Sequence, residues 1–235
     1  RPVLAQQSIR ELTLTERTYG DVLDAASWAV LQEGFHDGFG ADGDHPKRSE
    51  DIKMALDLGF SMITLDCSEK IDGNVANLSE AERCERYQSL PDVFRTKMEA
   101  AYLDKTFSVG KSSVHFAADA LQEILLTYGE TLAFIAEIDA KFIKPHHQPV
   151  DFELSIDETA TPTTPAAHYF MASEMEKAGI VLCSLAPRFC GEFQKAIDYI
   201  GDLASFEAEF AIHAAIADHF GYRLSVHSGS DKFSV

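Results

Sequence analysis

Apolar and polar positions alternate along the chain in the manner of strands followed by helices. Pro2-Val3-Leu4-Ala5-Gln6-Gln7-Ser8 is a short apolar run with a polar end, the pattern of a strand. Val22, Leu23, Ala26, Trp28, Ala29 and Leu31 recur at helical spacing and predict a helix over residues 20–34. The glycine-rich run 35–42 reads as a strand with close backbone approach. Ser49-Glu50-Asp51-Ile52 has the form of a helix start and Gly59 that of a stop. Ser61-Met62-Ile63-Thr64-Leu65-Asp66 then predicts a buried strand ending in an acid, which completes β-α-β-α-β.

The middle of the chain has a different period. Residues 79–103 and 114–140 are helical stretches, with Pro91 breaking the first. Residues 107–113 join them and contain Gly110-Lys111-Ser112, but Thr106 stands where a phosphate-binding loop needs its first glycine, and no strand precedes it. Alternation resumes after Pro149, with strands at 150–157, 180–185 and 222–227 and helices at 165–178 and 202–220. Six strands alternating with helices predict an α/β fold with a parallel sheet. Several of these strands end in polar clusters, which points to one shared site at the carboxyl end of a (β/α) TIM-barrel-like fold. On this reading residues 1–69 are the first βα units, 70–149 a helical insertion or lid, and 150–235 later βα units of the same domain. A closed barrel of this type has eight strands. The chain opens on Arg1 rather than Met and stops at Val235 just past its richest motif, so the expectation is part of a longer barrel protein.

Composition narrows the function. With 20 basic and 38 acidic residues the chain carries a net charge of −18, which argues against nucleic-acid binding. An anionic substrate would need a local basic contact within an acidic molecule. Cys67, Cys84, Cys183 and Cys190 form no CxxC pair and read as reduced thiols of a cytoplasmic protein. No apolar run approaches the ~20 residues of a membrane span, so no membrane partner is expected.

The polar clusters carry the chemistry. His227-Ser228-Gly229-Ser230-Asp231-Lys232-Phe233 offers a metal-binding imidazole, hydroxyls for a polyol and a lysine for an acid group. In the strand before Thr159, Glu153, Ser155 and Asp157 share one face while Phe152, Leu154 and Ile156 share the other. Two carboxylates facing a barrel interior are costly unless paired or bound to a cation, so the face is a salt-bridge network, an acid/base pair or a metal site. Asp44-His45 closes the glycine-rich strand and is a second candidate. His213 lies mid-helix and reads as packing, and His146-His147 sits in a connection facing solvent. Gln6, Gln7, Ser8, Asp66, Arg188 and Lys195 are candidate sugar or carboxylate contacts. The order Asp44, Glu153, His227 suits metal-assisted proton transfer on a polyhydroxy ketone.

Several stretches together carry a family resemblance. They are Ala5-Gln6-Gln7-Ser8, Gln32-Glu33-Gly34, Gly38-Phe39-Gly40-Ala41-Asp42, Asp44-His45, Asp157-Glu158-Thr159, Thr161-Pro162-Thr163, Arg188-Phe189, Gly191-Glu192, Ile197-Asp198-Tyr199, Gly201-Asp202-Leu203 and residues 227–235. In this order they resemble the tagaturonate epimerase family, which interconverts D-tagaturonate and D-fructuronate; residues 70–150 match poorly. The resemblance implies a barrel-type fold, a keto-uronate substrate and one divalent metal ion, with zinc, manganese, nickel, cobalt and iron all open. It implies Asp44 as proton acceptor, Glu153 as proton donor, and His45 and His227 as metal ligands. Gln194 is the third ligand on this basis, with Glu158 and His213 as rivals. The polar residues Gln7, Ser8, Asp66, Glu158, Arg188, Lys195, Ser228 and Lys232 are the expected substrate contacts.

The two ketoses differ at a carbinol β to the ketone, whose C–H the carbonyl does not acidify. Inversion therefore needs a retro-aldol opening and re-closure of the C–C bond, or carbonyl migration followed by α-epimerisation. A metal-dependent aldose–ketose isomerase and a non-catalytic carbohydrate-binding protein are the alternatives, and a homo-oligomer is possible in each case.

Overall fold

A computed structural model describes residues 2–157, 159 and 161–235. Strand β1 (Val3–Ser8) runs directly into a short helix α1 (Ile9–Thr15). The pattern did not announce α1. Its start is local: Ser8 and Glu11 form a reciprocal capping box that satisfies the first free N–H groups. A second capping box, Thr18 with Asp21, starts α2 (Tyr19–Glu33), and Gly34 ends it in a left-handed turn. Strand β2 (Gly40–Asp44) begins later than the sequence predicts and ends later. Gly38 has φ 76°, so extended pairing cannot start before it. Helix α3 (Ser49–Asp57) and strand β3 (Met62–Asp66) fall where expected.

The middle segment contains α4 (Glu80–Ser89), α5 (Asp92–Tyr102) and α6 (Ala118–Ile138), with Pro91 separating the first two. The expected link before α6 is a β-hairpin, β4 (Thr106–Val109) paired antiparallel with β5 (Ser112–His115). Gly110, at φ 55°, makes its turn possible. Helix α6 continues into a wider π-turn at Asp139–Ile143. The last units are β6 (Asp151–Ile156), α7 (Pro165–Lys177), β7 (Ser184–Pro187), α8 (Leu203–Phe220) and β8 (Arg223–Leu224). β7 sits later than predicted because Ile180 is still bonded to the end of α7 through Met175. β8 is shorter than predicted, since the chain turns at His227.

The fold is α/β. Six strands form one parallel sheet in the order β1-β2-β3-β6-β7-β8, which is chain order with the hairpin left out. The order does not reverse as it does in a doubly wound sheet. All carboxyl ends therefore share one edge. Ile63, Leu65, Phe152 and Leu154 of the sheet are at most 1% exposed and belong to the same apolar cluster as Tyr102, Phe116 and Leu125 of the middle segment. An aromatic group of Tyr102, Phe107, Phe116, Tyr169 and Phe170 ties the hairpin to α7. Among the described residues, no helix is long and apolar enough to cross a membrane.

Gly43 marks the tightest approach of α3 to the sheet. A Cβ there would lie 2.9 Å from Ile63 Cδ1 and 3.2 Å from Ala55 Cβ. Gly43→Val should lower the unfolding free energy by ~1–3 kcal/mol through overpacking. The urea midpoint measures this; an unchanged midpoint would show that α3 is not pressed on β2.

Candidate active site

The site is assembled from the ends of three strands. β2 closes with Asp44, and His45 follows in a left-handed backbone, φ 56°, held by its N–H on the Thr64 carbonyl at 3.0 Å. That turn brings the imidazole back, so His45 Nδ1 meets Asp44 Oδ1 at 2.6 Å. In β6, Glu153 lies across from Thr64 of β3 and Ser184 of β7 in the parallel register. Its carboxylate accepts from Ser184 Oγ, from Ser225 Oγ at 3.2 Å, and from His227 Nε2 at 2.9 Å. Asp157, just beyond β6, accepts from Ser155 Oγ and faces His227 Nδ1 at 3.2 Å. The rings of His45 and His227 are 4.8 Å apart, centre to centre.

His227 bridges two carboxylates with its two nitrogens, which requires the doubly protonated ring. Burial alone would lower its pKa, but the bonds to Asp157 and Glu153 outweigh this and push it up to about 10. For His45 burial again opposes the charge, and the Asp44 contact raises the pKa above the ordinary value. Burial would raise Asp44 and Asp157, yet His45 and His227 respectively hold both carboxyls below the usual range. Asp42 is different. It is 1% exposed, and burial pushes its pKa up to about 7 despite hydrogen bonds from the Thr64 hydroxyl and N–H and from Gln6.

Ligand atoms of His45, Asp157 and His227 all lie within 4.8 Å of one another, the one such group among the described residues. Beside them opens a cavity of about 150 Å³ lined by Asp157, Arg188, Phe189, His227 and Ser228 among others. The structure thus brings together Asp44, His45, Glu153 and His227, with Arg188 and Ser228 at the cavity. Asp157 joins them; its sequence signals are the strand face it shares with Glu153 and its place in the Asp157-Glu158-Thr159 stretch.

The remaining predicted residues are placed as follows. Asp66 is buried at the end of β3, paired with Lys47 Nζ at 3.2 Å and bonded by the Ser68 N–H. Ser8 caps α1, and Gln7 accepts from Arg17 at 3.3 Å. Lys232 is 6% exposed and donates to the carbonyls of Gln194 and Ile197, both at 2.7 Å. Gln194 is exposed on that loop. Lys195 points outward, 79% exposed and 3.8 Å from Glu11. His213 is buried in α8 away from the converging group. Glu158 lies outside the described residues. Thr64, Ser184 and Ser225 carry no signal in the sequence. Isolated serines and threonines in strands acquire meaning only through register.

The fold and these side chains define an α/β protein with a metal-capable site at the carboxyl edge of its parallel sheet. A family model described as tagaturonate epimerase, UxaE, matches residues 1–235. A curated relative from Thermotoga maritima, a tagaturonate/fructuronate epimerase, is 44% identical over the whole chain, which covers 48% of that relative. The glycerol-complexed crystal structure of fructuronate-tagaturonate epimerase UxaE from Cohnella laeviribosi is 58% identical, with a TM-score of 0.98 over 100% of this chain and 48% of that one. The YdjI aldolase of Escherichia coli K12 shares the fold alone, at 13% identity and TM-score 0.50 over 95% of this chain and 56% of that one. The chain belongs to the tagaturonate epimerase family. It spans about half the length of the curated relative it matches.

The raised pKa of His227 fixes the sign of a pH effect. The ion-free protein holds this stabilisation in full below pH 6.5 and loses it as pH rises through about 10. Chemical denaturation should show stability falling over that window in ion-free wild type and a shallower slope in His227→Gln. Parallel slopes would remove His227 as the cause.

Proposed function

We propose that the whole protein is a metal-dependent epimerase that interconverts D-tagaturonate and D-fructuronate in the cytoplasm. The observation that carries this reading is the convergence of His45, Asp157 and His227, with Asp44 and Glu153 bonded behind the two imidazoles, in a chain whose relatives bear that name. The chain-order sheet supports a section of (β/α) barrel wall, and residues 70–149 fill the crossover between β3 and β6 as an insertion beside it.

The donor set fits a divalent transition ion. His45 has Nδ1 bonded to Asp44, which leaves Nε2 to ligate, the usual support of a ligating histidine by a carboxylate. His227 has Nε2 bonded to Glu153 and turns Nδ1 toward Asp157, so loading requires it to give up one proton. Two imidazoles and a carboxylate suit zinc, manganese, nickel, cobalt or iron. Asp157 takes the third place in this set ahead of Gln194 and His213.

When bound, the ion supplies electrophilic pull on the ketone and holds vicinal oxygens. The chain's own groups move the protons. Asp44, kept ionised by His45, takes the proton from the hydroxyl β to the ketone. The bond between the α and β carbons opens to an enediolate and an aldehyde, the aldehyde turns its other face, and the bond re-forms. Glu153, gripped by Ser184, Ser225 and His227, takes up a proton in the loaded site and gives it to the new alkoxide, and the proton held on Asp44 passes back to it before the next turnover. Arg188 is the cation at the cavity for the substrate carboxylate. Lys232 already donates to two carbonyls and serves the loop instead.

Asp44→Asn and Glu153→Gln should keep fold and metal yet lose ~10²–10⁴-fold in kcat on tagaturonate, while His227→Ala loses most bound metal by elemental analysis. Near-wild-type turnover in Glu153→Gln would move the proton donor to Asp157 or Glu158, and full metal occupancy in both His45→Ala and His227→Ala would sink the ligand assignment.

Arg188 and Lys232 separate by substrate charge. Arg188→Met should raise KM for tagaturonate but not for neutral tagatose, whereas Lys232→Met should affect both alike. The reverse pattern would exchange the two roles.

A further inference from the structure

Behind the cavity, three buried side chains form a hydrogen-bond chain that the chemistry above does not use. Tyr222, just before β8, meets His168 Nε2 of α7 with its hydroxyl at 2.6 Å. His168 Nδ1 meets His213 Nδ1 of α8 at 2.7 Å. Both imidazoles are fully buried. Burial holds His168 well below its ordinary pKa and His213 down at about 4, so both rings are neutral.

Neutral rings have one donor and one acceptor each, so the chain must run in one direction. If Tyr222 donates, His168 carries its proton on Nδ1 and gives it to His213 Nδ1, and His213 carries its own on Nε2. If Tyr222 accepts, the order reverses and His213 Nε2 becomes a bare lone pair. Its surroundings decide between the two. His213 Nε2 faces the Thr163 carbonyl and the Glu209 carboxylate, 3.8 Å away, without closing a hydrogen bond to either. Both are acceptors. A buried lone pair against two acceptors is repelled; an N–H there is attracted.

Thr163 is also the residue that holds Arg188. Its N–H donates to the Arg188 carbonyl at 2.8 Å, and its hydroxyl accepts the Arg188 N–H at 3.0 Å. Phe189, the next residue, stands edge-on to the His213 ring at 5.5 Å. His213 therefore abuts both neighbours that determine where Arg188 enters the cavity.

We propose that His213, held as its Nε2–H tautomer by Tyr222 and His168, is a positioning residue that sets Arg188 for an acidic sugar through Thr163. The substrate side of this rests on the epimerase reading; the tautomer and the Thr163–Arg188 clamp do not.

The test uses the whole metal-loaded protein. His213→Met keeps bulk without a donor, and His213→Gln returns an amide N–H at similar reach. His213→Met should raise KM for tagaturonate several-fold, with kcat, metal content and KM for tagatose unchanged. Amide exchange at Thr163 and Arg188 should quicken in the same variant and slow again in His213→Gln. Nitrogen-15 NMR of wild type should show the His213 proton on Nε2, and Tyr222→Phe should mix the tautomers. A His213 proton on Nδ1, or a His213→Gln that behaves like His213→Met in exchange, would overturn the proposal in favour of packing alone. Exchange and NMR need no turnover. Inactivity of wild type on tagaturonate would thus overturn the assigned reaction and leave these two measurements to decide the positioning role.

Discussion

Crowding of acids at one edge of the sheet is the constraint on which the rest of the structure depends. Asp42, Asp44, Glu153 and Asp157 stand on or just past β2 and β6, two strands with only β3 between them, in a chain with net charge −18. Leaving such groups unpaired in a partly buried site would cost several kcal/mol each. The fold answers with two imidazoles rather than with lysines or arginines. His227 is the keystone, since among the described residues it alone bonds to both Glu153 and Asp157. The hydroxyls of Ser184 and Ser225 complete the shell on Glu153, and Thr64 does the same for Asp42. Parallel register places these donors, because Thr64, Glu153 and Ser184 fall in one row across β3, β6 and β7.

The periodicity of the chain carried most of the strand and helix order but not its junctions. β1, β3 and β6 were legible because each is an apolar run that stops at a polar residue. The glycine-rich run predicts too early a start for β2, because the left-handed backbone of Gly38 precludes a strand there. The hairpin β4–β5 was hidden by its shortness: with strands of four residues, Phe107, Val109 and Val114 show too little alternation to set against the helices on either side.

The candidate site was legible residue by residue and illegible as a geometry. Asp44, His45 and His227 stand out at strand ends and Glu153 on a strand face, and family resemblance supplies their roles. That Asp157 bonds to His227 and comes within 4.8 Å of His45 depends on where β8 and β2 lie relative to β6, which is a matter of sheet order. Lys232 shows what sequence leaves out. A lysine in a polar motif of an acidic protein reads as an anion contact, and in the fold it is buried and donates to carbonyls of residues more than thirty positions earlier in the chain.

Left-handed backbone at His45 and Ser228 has a consequence for any attempt to improve this protein. Neither is glycine, yet both hold φ above 50°, a conformation that disfavours a side chain by about 1–2 kcal/mol. Glycine or asparagine would relieve that burden at either position. A laboratory evolution campaign scored only on heat resistance would therefore drift toward them, and would gain robustness by erasing the imidazole and hydroxyl at the cavity. Hardening of the scaffold has to be sought elsewhere, on the outer helices and their caps.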